Sequence, residues 1–372
     1  MKIGIDATFL NRVHSGGKEQ VLFNLLKGWQ ALGKAPDIHV FAYDYSEDVI
    51  KDLIPGASFT FIPYKNYFCK KTVADSLFKT FELGRLVKRQ QIDLLFFPHY
   101  NTGLKRFDIP TVVLPHDIQV KSRADQFSLQ DRLLYGTHYY LDFKLRDKII
   151  SVSDYDRSEM EKYYPQHKSK IKRIYNPIDT SFSLPPGKTA AGTPYICTVN
   201  IAYAHKNTIT LIKAFAKIMH TIEHDLVLIG RTRQETGFLQ DYVCGHNLGE
   251  RIILTGFLKD RELDRVLCQA SLYVNPSLFE GFGMAAIEAA IRCVPVLSSR
   301  TGATPEVTRG LLNYYEPADD EEILAAKMLE LLQQEQCRPP AKLAAIRESY
   351  LACYAHTRIS QIYYDFFQEL MA

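Results

Sequence analysis

Short apolar runs alternate along this chain with longer stretches whose apolar positions recur at helical spacing. The stretch 272–298, LYVNPSLFEGFGMAAIEAAIRCVPVLS, carries the pattern most plainly. Residues 272–275 are an apolar run, Pro276 and Ser277 break it, and Gly281 and Gly283 punctuate a loop. Residues 284–291 are rich in helix formers, and 294–297 resume a buried-strand pattern. The prediction is strand, loop, helix, strand: one βαβ unit of a parallel sheet, whose ligands gather at the carboxyl ends of the strands. Further strand-like runs fall at 3–8, 38–43, 59–63, 92–98, 111–117 and 148–153, then at 195–200, 225–230 and 251–257. Helical patterns lie among them, at 18–32, from Thr208 onward and at 261–270. That alternation is the mark of doubly wound α/β structure.

The chain's 372 residues are long for one core, which favours two domains. The sharpest break in composition is Asn176-Pro177-Ile178-Asp179 followed by the Pro-, Gly- and Ala-rich stretch 184–194. It divides the chain into a first domain, 1–178, a second, 190–350, and a terminal helical segment, 351–372.

Composition narrows the class. With 46% hydrophobic and 23% charged residues, and no apolar run of the eighteen or so needed to span a bilayer, the chain reads as globular. Its start, MKIGIDATFL, holds an aspartate inside a short apolar run and reads as a first strand rather than a signal peptide, so a cytoplasmic protein is expected. Seven cysteines, an odd number without a Cys-x-x-Cys pair, argue against a disulfide framework or structural zinc. The net charge of +3 is uneven. Residues 1–180 hold 27 Lys and Arg against 21 Asp and Glu, and the remainder 18 against 21. A basic first half suits an anionic acceptor or a membrane surface, while no basic block points to nucleic acid. The segment 64–90 mixes seven Lys and Arg with Tyr, Phe and Leu; it fits a helix lying on a membrane and equally a packed helix with a solvated basic face.

Candidate chemistry collects at predicted strand ends. Glu280 stands in the loop of the central motif and Glu288 on the second turn of its helix; Glu288 could instead pair with Arg292 four residues on. Gly281 and Gly283 let backbone N–H groups come close to a ligand, and a helix start favours an anion such as a diphosphate. Lys206 precedes a helix and follows a strand, a second diphosphate-facing position; Arg231 ends the strand 225–230. His116, with Asp117, ends an otherwise apolar strand, and His99 follows another. Gly16 and Gly17 mark a strand-to-helix junction, though without a GxGxxG fingerprint, and a plain turn explains them as well. Asp154 and Asp156 read as helix-capping residues.

The complete string, Pro-Ser, then Glu-Gly-Phe-Gly, then a second glutamate eight residues after the first, resembles the Glu-x7-Glu signature of the retaining glycosyltransferases of family four. The run VVLPHDI resembles that family's His-Asp element, His205-Lys206-Asn207 its Lys-Asn element, and Asn-Pro-Ile-Asp the segment by which it leaves its first domain. The resemblance implies the GT-B architecture, two Rossmann-like doubly wound parallel-sheet domains facing a cleft, with the terminal helix packed back on the first. It implies transfer of a sugar from a UDP- or GDP-linked donor to a glycan or lipid-linked acceptor hydroxyl, and since no Asp-x-Asp metal cluster lies where a diphosphate would bind, neither metal nor cofactor is expected. By the same resemblance Lys206 neutralises the diphosphate, and Glu280, Ser277 and the backbone of Phe282, Gly283 and Met284 meet sugar and phosphate. Glu288 binds ribose, Gly256, Phe257 and Leu258 hold the base, and His116 sits near the anomeric carbon. Gly16 and Gly17 contact the donor phosphates or the acceptor, and residues 301–306 form a loop near the donor pocket. One departure stands out: relatives carry an arginine where this chain has Asn200 and Ile201, leaving its donor phosphates to Lys206, the helix start and Arg231. A nucleotide-sugar epimerase or phosphorylase, or a non-catalytic nucleotide-sugar-binding subunit, fits the same layout.

Overall fold

A computed structural model describes residues 1–10, 16–33, 36–53, 56–64, 71–182, 192–201, 203–232, 236–333 and 339–372. The chain forms two compact units, Met1–Asp179 with Tyr354–Ala372, and Thr180–Cys353. Residues 183–191 of the expected linker lie outside the described residues.

The N-terminal unit is built on a seven-stranded sheet: β1 (Lys2–Asp6), β2 (Asp37–Tyr43), β3 (Ser58–Ile62), β4 (Leu94–Phe97), β5 (Thr111–Val113), β6 (Lys148–Ser151) and β7 (Ile171–Arg173). The C-terminal unit carries six: β8 (Tyr195–Val199), β9 (Asp225–Ile229), β10 (Ile252–Gly256), β11 (Leu272–Asn275), β12 (Val296–Ser299) and β13 (Asn313–Tyr315). The orders are β3-β2-β1-β4-β5-β6-β7 and β10-β9-β8-β11-β12-β13, and the named strands pair in parallel throughout. Both are doubly wound sheets in which the winding reverses at one point, between β1 and β4 and between β8 and β11, where such folds open a crevice at the strand ends.

Parallel strands covered on both faces read as continuous apolar runs, which is why β4 (LLFF) and β11 (LYVN) are wholly buried and were legible. The short β7 and β13, each three residues at a sheet edge, have no such run and escaped the pattern. β12 begins past Pro295 rather than at 294, since proline has no N–H for a ladder. The segment 64–90 holds two helices, Lys71–Phe81 and Leu83–Arg89, with 65–70 outside the described residues. Ser153, rather than either aspartate, caps the helix Asp154–Tyr163, its hydroxyl accepting from the Asp156 N–H at 3.0 Å.

The terminal helix His356–Met371 lies against Gly17–Ala31 within the N-terminal unit. The Trp29 indole donates to the Ser360 carbonyl at 2.8 Å. A Cβ on Gly28 would fall 2.1 Å from Ser360 Oγ and 2.4 Å from the His356 carbonyl oxygen, so the two helices meet only because that residue is glycine. The described cysteines Cys197, Cys244, Cys268, Cys293 and Cys353 are free thiols, and no described helix is long and apolar enough to cross a membrane.

Candidate active site

In the C-terminal unit the switch point lies between β8 and β11, and the chain leaving each strand is tied to the other. After β8 a short turn, Ala204–Lys206, runs into Asn207, whose left-handed conformation (φ 53°) starts the helix Thr208–Ile218. Asparagine tolerates that conformation. The Asn207 side-chain amide donates to the carbonyls of Pro276 (3.2 Å) and Ala318 (2.9 Å), and its oxygen accepts from Thr210 Oγ1 at 2.8 Å. The Leu278 N–H adds a bond to the His205 carbonyl at 2.8 Å.

These ties bring the Lys206 ammonium to 2.7 Å from Glu280 Oε1, and Ser277 Oγ lies 2.7 Å from the same oxygen. Lys206 and Glu280 side chains are only 15 and 9% exposed. Burial by itself would raise the Glu280 carboxyl, but the Lys206 charge and the hydrogen bonds from Lys206 and Ser277 outweigh it. Glu280 is held below the ordinary carboxylate range and is anionic at neutral pH. Burial, helped by Lys206, pushes the His205 imidazole down to about 4, so it is neutral.

The loop is fixed from behind. The Ala303 N–H donates to the Glu280 carbonyl at 2.9 Å, and a Cβ on Gly302 (φ 54°) would stand 2.4 Å from that carbonyl oxygen. Gly283, also left-handed (φ 89°), leads into the helix Met284–Ile291 without any side-chain cap. Close by, the fully buried Thr304 hydroxyl has no partner among the described residues, the kind of group a bound ligand would satisfy. Phe282 is buried, while Met284 and Glu288 are half-buried. Arg292 turns its guanidinium to Asp264 (Nε, 3.1 Å) and donates to the backbone carbonyl of Glu288, four residues before it, at 2.7 Å. Burial, and after it the charges of Cys197, Glu280 and Glu288, push the buried Tyr273 phenol far up.

At the neighbouring strand ends the Gly230 N–H donates to the Gly256 carbonyl at 3.0 Å. Arg231 lies over the exposed Phe257 ring at 5.2 Å, beside half-buried Leu258. Residues 233–235 lie outside the described residues.

His116, Gly16 and Gly17 belong to the N-terminal unit. His116 stands three residues past the end of β5, in a left-handed conformation (φ 72°) that is strained for histidine. Its Nε2 lies 2.8 Å from the Pro98 carbonyl, which only an N–H can satisfy, and burial holds the ring down to about 4. The proton therefore sits on Nε2, and Nδ1 is an acceptor. His99 Nε2 accepts from Lys18 Nζ at 3.3 Å, and the two imidazoles are 6.3 Å apart. Gly16 caps the helix Gly17–Ala31 in an extended conformation open to any residue, a Cβ on Gly17 would meet nothing within 4 Å, and 11–15 lie outside the described residues.

Thus Lys206, Ser277 and Glu280 come together in one cluster, and Arg231 and Phe257 in another. Sequence reasoning missed Asn207 as the tie between the two switch-point loops, and missed that Gly302 and Thr304 touch the Glu280–Gly283 turn.

Two doubly wound parallel-sheet units in one chain are the GT-B architecture, and known proteins share it. Residues 15–182 match the family described as Glycosyltransferase Family 4, and residues 193–334 match Glycosyl transferases group 1. The chain belongs to glycosyltransferase family four. It is 26% identical over 251 residues, 63% of its length, to O-antigen chain mannosyltransferase B of Escherichia coli, and the match spans 64% of that protein, a little under two thirds. Among solved structures it is similar to sucrose-phosphate synthase from Thermosynechococcus elongatus (TM-score 0.81, 17% identity, 99% of this chain and 98% of that one). It is also similar to Anabaena Alr3699/HepE in complex with UDP-glucose (TM-score 0.76, 15% identity, 99% and 100%).

Proposed function

We infer that this chain moves a hexose from a nucleoside diphosphate sugar, UDP- or GDP-linked, to an acceptor hydroxyl, with retention at the anomeric carbon and without a divalent metal. The observation that carries the reading is the buried Lys206–Ser277–Glu280 cluster at the switch point. Lys206 places a full positive charge where a diphosphate would lie, and charge growing on the departing diphosphate is what such a group stabilises. Glu280, kept anionic, accepts from donor sugar hydroxyls, while Glu288 suits the two ribose O–H donors. The backbone of Phe282, Gly283 and Met284 meets sugar and phosphate, and Gly256, Phe257 and Leu258 hold the base beside Arg231. His116 offers Nδ1 as an acceptor for a sugar hydroxyl. A covalent route would need a carboxylate against the anomeric carbon. Glu280 is instead engaged by Lys206 and Ser277, which favours front-face attack with the leaving phosphate taking the acceptor proton. Likeness to a protein solved with UDP-glucose supports the donor class, and likeness to an O-antigen mannosyltransferase supports a bacterial glycan or lipid-linked acceptor at the inner membrane face.

Thermal melting with UDP, GDP, ADP and their sugar conjugates tests the donor site. One nucleotide should stabilise the wild type, by about 3 kcal/mol at a hundredfold excess over Kd, and Glu288→Ala should abolish the shift. A well-folded chain that no nucleotide stabilises sinks the reading. With acceptor in hand, the anomeric coupling of the product reports retention and activity in EDTA reports metal independence. Donor turnover without any acceptor would instead mark an epimerase or hydrolase.

A further inference from the structure

In the N-terminal unit, the helix Lys71–Phe81 turns an apolar edge to water. Val73, Leu77 and Phe81 follow at four-residue steps and are 38, 48 and 56% exposed. That spacing sets them on one stripe, while Ala74 and Phe78 face inward and already supply the contact with the core. Leu104, 48% exposed, extends the stripe: its N–H donates to Thr80 Oγ1 at 2.9 Å, binding the loop after β4 to the same end of the helix.

Beside Phe81 opens a recess of about 220 Å³. Val87, Phe107 and Ile109 give it an apolar floor, and five cations, Lys79, Arg85, Lys88, Lys105 and Arg106, line it, Lys79 being paired with the buried Asp6 at 2.8 Å. Its lone lining acid, Asp108, pairs with Lys88 at 2.7 Å, leaving an excess of three positive charges. The Lys105 ammonium sits 4.7 Å from the Phe81 ring centroid, joining the basic rim to the apolar stripe. Behind Phe107, at 5.0 Å from its ring, lies the fully buried Arg146 guanidinium, whose charge is offset by Asp142 and Asp147.

Exposed apolar side chains bordered by cations of one sign have a natural counterpart in hydrocarbon bordered by anionic headgroups. We propose that this surface seats the N-terminal unit on an anionic lipid bilayer. Val73, Leu77, Phe81 and Leu104 enter the acyl boundary, and Arg85, Lys105 and Arg106 meet lipid phosphates. A soluble anion would leave the apolar stripe in water, whereas a lipid surface meets stripe and rim together. The seat takes its purpose from the membrane-borne acceptor inferred above, but the binding itself needs neither donor nor catalysis.

The test is sedimentation of the full chain, without donor, with vesicles of phosphatidylcholine alone and of phosphatidylcholine mixed with phosphatidylglycerol. The chain should pellet with the mixed vesicles, stay in solution with the neutral ones, and be released by added salt. Arg85→Gln, Lys105→Gln and Arg106→Gln together should weaken binding on the order of a hundredfold, at about fivefold per cation; Leu77→Ser with Phe81→Ser should weaken it at unchanged charge. All five side chains are exposed, so the variants should melt with the wild type. Equal binding to both vesicle types, no binding by a well-folded chain, or a triple variant that binds like the wild type would each overturn the proposal. So would release by inorganic phosphate where chloride of equal ionic strength does nothing, which would make the recess a soluble-anion site. Nucleotide thermal shifts on the same variants should be unchanged, so the membrane seat and the donor site stand or fall separately.

Discussion

The two units share one winding, yet they use a buried lysine–carboxylate pair at the switch point in opposite ways. In the N-terminal unit Lys79 meets Asp6 at 2.8 Å, each side chain 2% exposed. Asp6 also accepts from the Thr8 N–H and hydroxyl, and Lys79 donates to the Asn101 carbonyl at 2.8 Å. Each charge is enclosed and met by protein groups. In the C-terminal unit Lys206 and Glu280 sit at nearly the same separation, but on loops that end in the left-handed Asn207 and Gly283, beside a buried hydroxyl with no partner among the described residues. A close ion pair is thus no sign of a site by itself; what distinguishes the second pair is the left-handed turns that lead from it and the buried Thr304 hydroxyl, which has no partner among the described residues. Breaking an enclosed pair leaves a buried charge uncompensated and costs stability, whereas breaking a pair that faces substrate costs rate.

That contrast makes Lys206→Met the largest test. Transfer should fall on the order of 10³ in kcat, measured by steady-state kinetics on protein shown by circular dichroism to be folded. A fall of only a few fold would place the diphosphate's charge partner elsewhere. Asp6→Asn strands Lys79 and should lower stability by about 3 kcal/mol in urea unfolding, with activity per folded molecule little changed. Activity lost at full stability would erase the contrast by making Asp6 part of an acceptor site. Gly302→Ala puts a methyl against the Glu280 carbonyl and a side chain at a positive φ; about 2 kcal/mol of destabilisation is expected, with kcat falling more than KM rises, because the shifted turn carries Glu280.

Acid sensitivity is the mildest effect and belongs to both units. His116 and His205 each titrate near 4 in the folded chain, against about 6.5 unfolded. Between those values the unfolded chain binds more protons, so the contribution is complete above pH 6.5 and is lost as pH falls toward 4. Stability should drop steadily across that window, by about 1 kcal/mol per histidine over the first pH unit, and the melting temperature with it. His116→Gln and His205→Gln should each flatten the curve, and a profile equally steep in both variants would assign the acid loss to other groups.

The sequence by itself determined the alternation of strands and helices, the division into two units, and the stretch that holds Ser277, Glu280, Gly283 and Glu288. Those features are local: a buried parallel strand needs a continuous apolar run, a helix a 3.6-residue period, and a motif within one βαβ unit keeps its members together whatever the rest of the chain does. Lys206 was readable from its place between a strand and a helix and from its resemblance to a known element, but its partner, 74 residues away, was not. What only the tertiary structure decided was which distant groups meet. Asn207 ties the ends of β8 and β11, Gly302 lets a later loop rest against Glu280, Asp6 finds Lys79, and the stripe of Lys71–Phe81 lies beside the cations of the loop after β4. Each depends on the order in which strands are laid into the sheet, and contacts between residues far apart in the chain leave no period or spacing in the sequence from which to read them.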